Sequence, residues 1–165
     1  FGGSKACYDW ATVVPLTTDK QVLHDKINGL QATGTTAGHL GTGWASYMLS
    51  PNWAHLWDPA SAPAEYNDTE TTKVAVLMTD GEYNTWYKDE NGNASVQARA
   101  ICEEMKSNGI TVYTVGFMLN NADAIDTLSD CATDSSSAFV ADNGDELRQA
   151  FRDIGMRLQK LRLSK

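Results

Sequence analysis

KVAVLMTDG, residues 73–81, decides the fold. Its five consecutive apolar residues, Val74 to Met78, read as a fully buried strand, because a strand covered on both faces is apolar at successive positions. The run stops abruptly at Asp80-Gly81. Open parallel sheets hold their ligands at the carboxyl ends of the strands, and a carboxylate placed there is costly unless exposed, paired or bound to a metal. Gly81 lets the chain turn sharply and leaves room beside that carboxylate. The plainer reading is that Asp80 caps the following turn.

Working outward, helical and strand-like stretches alternate, which points to one α/β domain with a mainly parallel sheet. Upstream, residues 19–30 open on a capping Thr-Asp and place Val22, Leu23, Ile27 and Leu30 near one helical face. Residues 31–38 are small and polar, a loop, and a second helix is expected over 39–49 with Pro51 beyond its end. Residues 51–72 form a long irregular insertion with three prolines, Trp53 and Trp57. Downstream, 83–93 reads as a polar loop. A helix over 94–107 points Val96, Ala100, Ile101 and Met105 inward, and ITVYTVGF at 110–117 is a second strand. A short helix over 121–132, an edge strand at 138–141 and a helix over 144–161 follow. The last carries a seam of Leu147, Phe151, Ile154, Leu158 and Leu161.

The chain has 165 residues and a net charge of −8, which argues against nucleic acid as the main partner. The acidity is uneven: from Arg148 onward six basic residues face Asp153 alone, leaving −13 on the remainder. A solvated helix face explains that basic end more simply than a lipid or acidic partner. The longest apolar run, five residues, falls far short of the ~18 that span a membrane. Cys7, Cys102 and Cys131 are too dispersed for zinc. Cys102 and Cys131 fall in two expected helices flanking one expected strand, which permits a bridge. Cys7 then pairs with an upstream cysteine or stays a buried thiol.

Thr35 and Thr36, in ATGTTAGHLG, open a helix one unit before Asp80. Hydroxyl and carboxylate from adjacent loops suit a hard divalent cation, Mg2+ or Mn2+ and by extension Ca2+, with water completing the shell. Taken alone, the threonines are N-caps.

The order loop-Thr, helix, strand-TDG, helix, strand-TVGF resembles a von Willebrand factor A domain with a metal-ion-dependent adhesion site (MIDAS). TAGHLGTGWASYMLSPNWAHLW, VAVLMTDGEYNTWY, ICEEMKSNGITVYTVGF and FRDIGMRLQKLRLSK are similar to TadG-like proteins of bacterial tight-adherence (Tad) pilus assembly. The resemblance runs from about residue 16 to residue 165. It implies a doubly wound, mainly parallel sheet with helices on both faces over residues 5–163. It carries the third-loop Asp onto Asp80 and the second-loop Thr onto Thr36, with Thr35 as fallback. The family's DxSxS loop has no counterpart here, since Asp9-Trp10-Ala11-Thr12 lacks both serines. The first strand and its ligands are therefore expected upstream of Phe1, and this chain supplies a minority of the cation's ligands.

The same resemblance implies a binding and assembly module of the bacterial cell envelope, on the periplasmic or surface side. It would take a protein partner, such as a pilus or envelope component, and reach the membrane only through an upstream segment. His39, Glu82, Tyr83 and Trp86 are the expected partner-binding rim. Trp44, Tyr47, Trp53 and Trp57 are expected near that rim, for protein or glycan contact, unless they serve packing alone. No HExxH, GxSxG or Cys-His pattern supports catalysis. Two rivals remain: a subunit of an intracellular metal-inserting ATPase complex, and a structural domain with a vestigial metal site.

Overall fold

A computed structural model describes residues 8–163. In chain order its elements are α1 (Lys20–Asn28), α2 (Gly38–Leu49), β1 (Val74–Thr79), α3 (Ala94–Ser107), β2 (Thr111–Phe117), α4 (Ala122–Cys131), β3 (Ala138–Ala141) and α5 (Gly144–Leu163). Side-chain caps start helices by satisfying otherwise orphaned N–H groups, and Asn143 does so for α5 through the Asp145 and Glu146 amides. Asp19 accepts from the Gln21 and Val22 amides, Asn93 from Val96 and Asn121 from Ala124.

The three strands form one parallel sheet in the order β1-β2-β3. β2 is central, and its alternate residues build two cores, as the two-residue period of a strand dictates. Val112 joins Ala75, Leu77, Cys102, Met105, Ile110 and Cys131 on one face, with Ala45 and Leu49 of α2 packed against them. Tyr113 and Val115 face the other way, onto Ala150 and Ile154 of α5. Helices thus cover both faces, and the parallel α/β architecture stands. Cys102 and Cys131 are bridged, stapling α3 to α4 inside the first core. The domain's expected start at residue 5 and any pairing of Cys7 lie outside the described residues.

Four expectations need correction. β1 is buried on one face only: Val76 and Met78 are 40% and 46% exposed. Among the described residues it lies at the sheet's edge, and the contacts of α5 run along β2 and β3. A long apolar run therefore does not prove two covered faces. No residue of α1 is buried, and Val22, Leu23, Ile27 and Leu30 stay exposed. In α3 the inward face is Ala94, Ser95, Ala98, Cys102 and Met105, while Val96 and Ala100 point outward. Small residues let α3 approach its neighbours closely, so side-chain size misled the choice of face. In α5 Ala150 replaces Phe151 in the seam for the same reason.

The 51–72 insertion is ordered by 3-10 turns at Pro51–Leu56 and Pro59–Ser61, and by one lysine. Lys73 is buried at the head of β1, and its Nζ donates to the carbonyls of Leu49 and Ala64 at 2.7 and 2.5 Å. Burial holds its pKa below the usual lysine range, against the opposing pull of Glu65 and Asp68. The ammonium also lies 5.5 Å from the Tyr66 ring centre. The end of α2 is thereby fixed beside the start of β1, so α2 runs antiparallel to the strand and begins at its carboxyl end.

Candidate metal-dependent recognition site

Asp80 follows β1 directly and is exposed, with no hydrogen bond or ion pair found for it among the described residues. The turn behind it is closed by Thr79, whose hydroxyl donates to the Gly81 carbonyl at 3.0 Å and lies 3.3 Å from the Gly81 N–H. That occupies Thr79 and leaves the Asp80 carboxylate as the free oxygen donor of this turn.

Thr36 reaches the same end of the sheet through a three-bond stitch. Its N–H donates to Asn84 Oδ1 at 3.1 Å, and its carbonyl accepts from the Asn84 and Thr85 amides at 3.0 and 3.2 Å. The threonine loop is thus tied to the segment that follows Asp80-Gly81. Thr35 is exposed and Thr36 half-buried. Both border a cavity of about 440 Å³ between α2 and β1, whose walls include Val76, Leu77, Met78, Thr79 and Tyr83.

Tyr83 acts as a wedge in this arrangement. Its ring lies so close over Gly38 that a Cβ there would fall 2.1 Å from it. Only glycine allows that approach. Burial pushes the Tyr83 phenol up, against a hydrogen bond with Thr42. His39, one residue on, is 6% exposed and sits 6.3 Å from the Tyr87 ring centre. Among the described residues its Nδ1 has no hydrogen-bond partner, and burial lowers its pKa. His39 therefore supports the loop from beneath and offers a partner little surface.

Glu82 and Trp86 are exposed but held. Glu82 accepts from Asn121 Nδ2 at 2.6 Å, which ties the rim to the cap of α4. Trp86 Nε1 donates to Asp89 at 2.6 Å. The second aromatic group is elsewhere. Trp44, Tyr47, Trp53 and Trp57 contact one another along α2 and the turn after it. Because α2 runs away from the rim, Trp53 and Trp57 follow its far end, where the Leu49 carbonyl accepts from Lys73. The expected single aromatic rim is two separate groups.

Two residues at the rim carried no signal in the sequence reading. Asn84, which makes the stitch, is an ordinary loop asparagine until its partner is seen. Met118, just past β2, has φ +52°, the only positive φ at a non-glycine among the described residues. Its N–H donates to the Ala141 carbonyl at 2.8 Å, and its side chain is 56% exposed.

The donors fit a hard cation in kind, a hydroxyl at Thr36 and a carboxylate at Asp80, but they are few. No group of three or more His, Cys, Asp or Glu side chains that could hold a metal occurs among the described residues. An octahedral ion held here would draw most of its shell from water or other chains.

The von Willebrand factor type A domain model matches residues 1–153. A search of curated proteins finds no match. Among solved structures, the pilus adhesin SpaC from Lactobacillus rhamnosus GG is similar, with a TM-score of 0.61 and 14% identity. The match covers 83% of this chain and 20% of the adhesin. Proximal thread matrix protein 1 from the mussel byssus, described with a zinc-occupied MIDAS motif, gives a TM-score of 0.51 at 16% identity. That match covers 84% of this chain and 28% of the byssus protein. At such identities the likeness is one of fold, and the chain spans under a third of either protein.

Proposed function

Because the chain belongs to the von Willebrand factor type A family, we propose that it is a cation-dependent adhesion-type module whose contact surface is the Thr36–Asp80 edge of the sheet. The observation that carries this reading is the stitch from Thr36 to Asn84 and Thr85, in the segment that follows Asp80, whose carboxylate has no partner among the described residues. A divalent cation supplies Lewis acidity and an open coordination position when bound. Thr36 and Asp80 would hold it, and a partner's carboxylate would take the open position. Trp86 and Tyr87 add exposed aromatic area beside it.

The action is binding and not catalysis. The partner is a protein of the bacterial envelope or pilus, and the TadG-like wording of the sequence favours Tad pilus assembly. The adhesin and byssus relatives support an extracellular or surface setting. The buried Cys102–Cys131 bridge also favours an oxidising compartment over the intracellular ATPase-subunit reading. No helix among the described residues is long and apolar enough to cross a membrane.

Mn2+ titration followed by electron paramagnetic resonance tests the cation. Saturable binding is expected, lost in Asp80→Ala and weakened about tenfold in Thr36→Ala, the loss of one charge-assisted contact. Equal affinity in the unmodified protein and both variants would remove the pair from any metal site.

A further inference from the structure

Four Asn-Gly pairs punctuate the chain, at residues 28–29, 91–92, 108–109 and 143–144. In this dipeptide the side-chain amide is open to attack by the following backbone nitrogen, because glycine has no Cβ to crowd the approach. We propose that Asn91 is the site at which the folded protein deamidates, and that the reaction loosens the loop carrying Trp86 and Tyr87. The chemistry stands apart from the adhesion reading; its consequence for recognition rests on that reading.

Deprotonated Gly92 N attacks the Asn91 side-chain carbonyl carbon. An N–C bond forms, the bond to Nδ2 breaks, and ammonia leaves. Water then opens the cyclic imide at either carbonyl, giving aspartate or isoaspartate. The net change is amide plus water to acid plus ammonia, with no redox partner.

The fold separates four equal motifs. Asn91 is exposed, and no side-chain hydrogen bond is found for it among the described residues. It ends a single 3-10 turn, Asp89–Asn91, where the Gly92 N–H is held by one bond to the Asp89 carbonyl at 2.9 Å. Asn28 closes α1, and the Gly29 N–H is shared by the Asp25 and Lys26 carbonyls at 3.0 and 3.2 Å. Asn108 Nδ2 donates to the Glu104 carbonyl at 2.9 Å. Asn143 is held on both sides: its Oδ1 accepts from the Asp145 and Glu146 amides, and its Nδ2 donates to Glu146 at 2.7 Å. The Asn108 and Asn143 side chains must break a bond before they can react.

Gly92 is itself required. Its φ is +79°, and a Cβ would lie 2.8 Å from Val96 Cγ1. The turn therefore demands glycine beside an exposed asparagine. Isoaspartate adds one atom to the backbone of that turn, which positions the Asp89 carboxylate for Trp86 Nε1 at 2.6 Å. Gln97 Nε2 also reads the turn, donating to Gly92 O at 2.7 Å and Lys88 O at 3.2 Å. Either product places a third negative charge next to Asp89 and Glu90.

Peptide mass mapping after incubation of the protein in mildly alkaline buffer tests the assignment. The Asn91 peptide is expected to gain about 1 Da roughly tenfold faster than the Asn108 and Asn143 peptides, which must each break a hydrogen bond first. Asn28 should fall between, and the four rates should converge in urea. An Asn91 rate no faster than Asn108 in the folded protein overturns the assignment, and so does an order that persists in urea. Trypsin cleavage after Lys88 reads the loop. It should accelerate several-fold with conversion and stay constant in Asn91→Gln; equal acceleration in that variant overturns the loosening.

Discussion

Removing the Cys102–Cys131 bridge should cost about 3.6 kcal/mol, a figure that follows from chain entropy. The two residues are 29 apart in sequence. Closing a loop of that length removes roughly 12 cal/mol/K from the unfolded ensemble, which at room temperature gives the quoted stabilisation. For a domain of this size each kcal/mol shifts Tm by about 2–4 °C, so a fall of about 7–14 °C is expected. The assay is thermal unfolding by circular dichroism of the double variant Cys102→Ala/Cys131→Ala. Both sulfurs are fully buried, so a Ser/Ser pair should fall further, each hydroxyl adding about 1–3 kcal/mol of unmet hydrogen bonding. Reductant should act on the native protein only at the rate of unfolding, and accelerate with urea. A Tm loss under about 2 °C in the Ala/Ala variant would refute the cross-link argument.

Three further outcomes are expected. Gly38→Ala pushes a Cβ into the Tyr83 ring and should cost about 1–3 kcal/mol, read as a lower urea midpoint, with Tyr83 resonances displaced in NMR spectra. An unchanged midpoint would mean that the ring is not wedged there. Met118→Gly should raise stability by roughly 0.5 kcal/mol, because relief of the left-handed conformation exceeds the entropy that glycine adds to the unfolded chain. A lower Tm in this variant would show that the exposed side chain packs after all. His39 is buried with its pKa below 6.5, so unfolded chains take up its proton first as pH falls. Its effect on stability is absent above 6.5 and destabilises progressively as pH drops from there towards the folded pKa. Urea midpoints across that window should flatten in His39→Phe, and an unchanged slope would place the pH dependence on other groups.

The elements were legible because each is written locally. The caps Asp19, Asn93 and Asn121 sit where their helices begin, and Asp80-Gly81 ends a run of β-forming residues. That the threonine loop and the Asp80 turn meet one end of the sheet was also expected from topology, and Thr36 is tied to Asn84 in the segment after Asp80. Which face of each element is covered was not readable. Val76 and Met78 look as apolar as Ala75 and Leu77, yet edge placement leaves only the latter pair buried. The aromatic groups parted for a similar reason, because the sense of α2 is fixed at its far end by Lys73 and the carbonyls of Leu49 and Ala64.

The sequence by itself determined the order of strands and helices and the family resemblance, and it proposed Thr36 and Asp80 as oxygen donors. Those depend on residue type and short-range spacing. The tertiary structure decided the one-sided burial of β1, the Thr36–Asn84 stitch, the Tyr83 wedge over Gly38 and the reactivity of one Asn-Gly pair among four. Each of these depends on which distant residue lies against which face, and contacts between residues tens of positions apart leave no periodic trace in the chain.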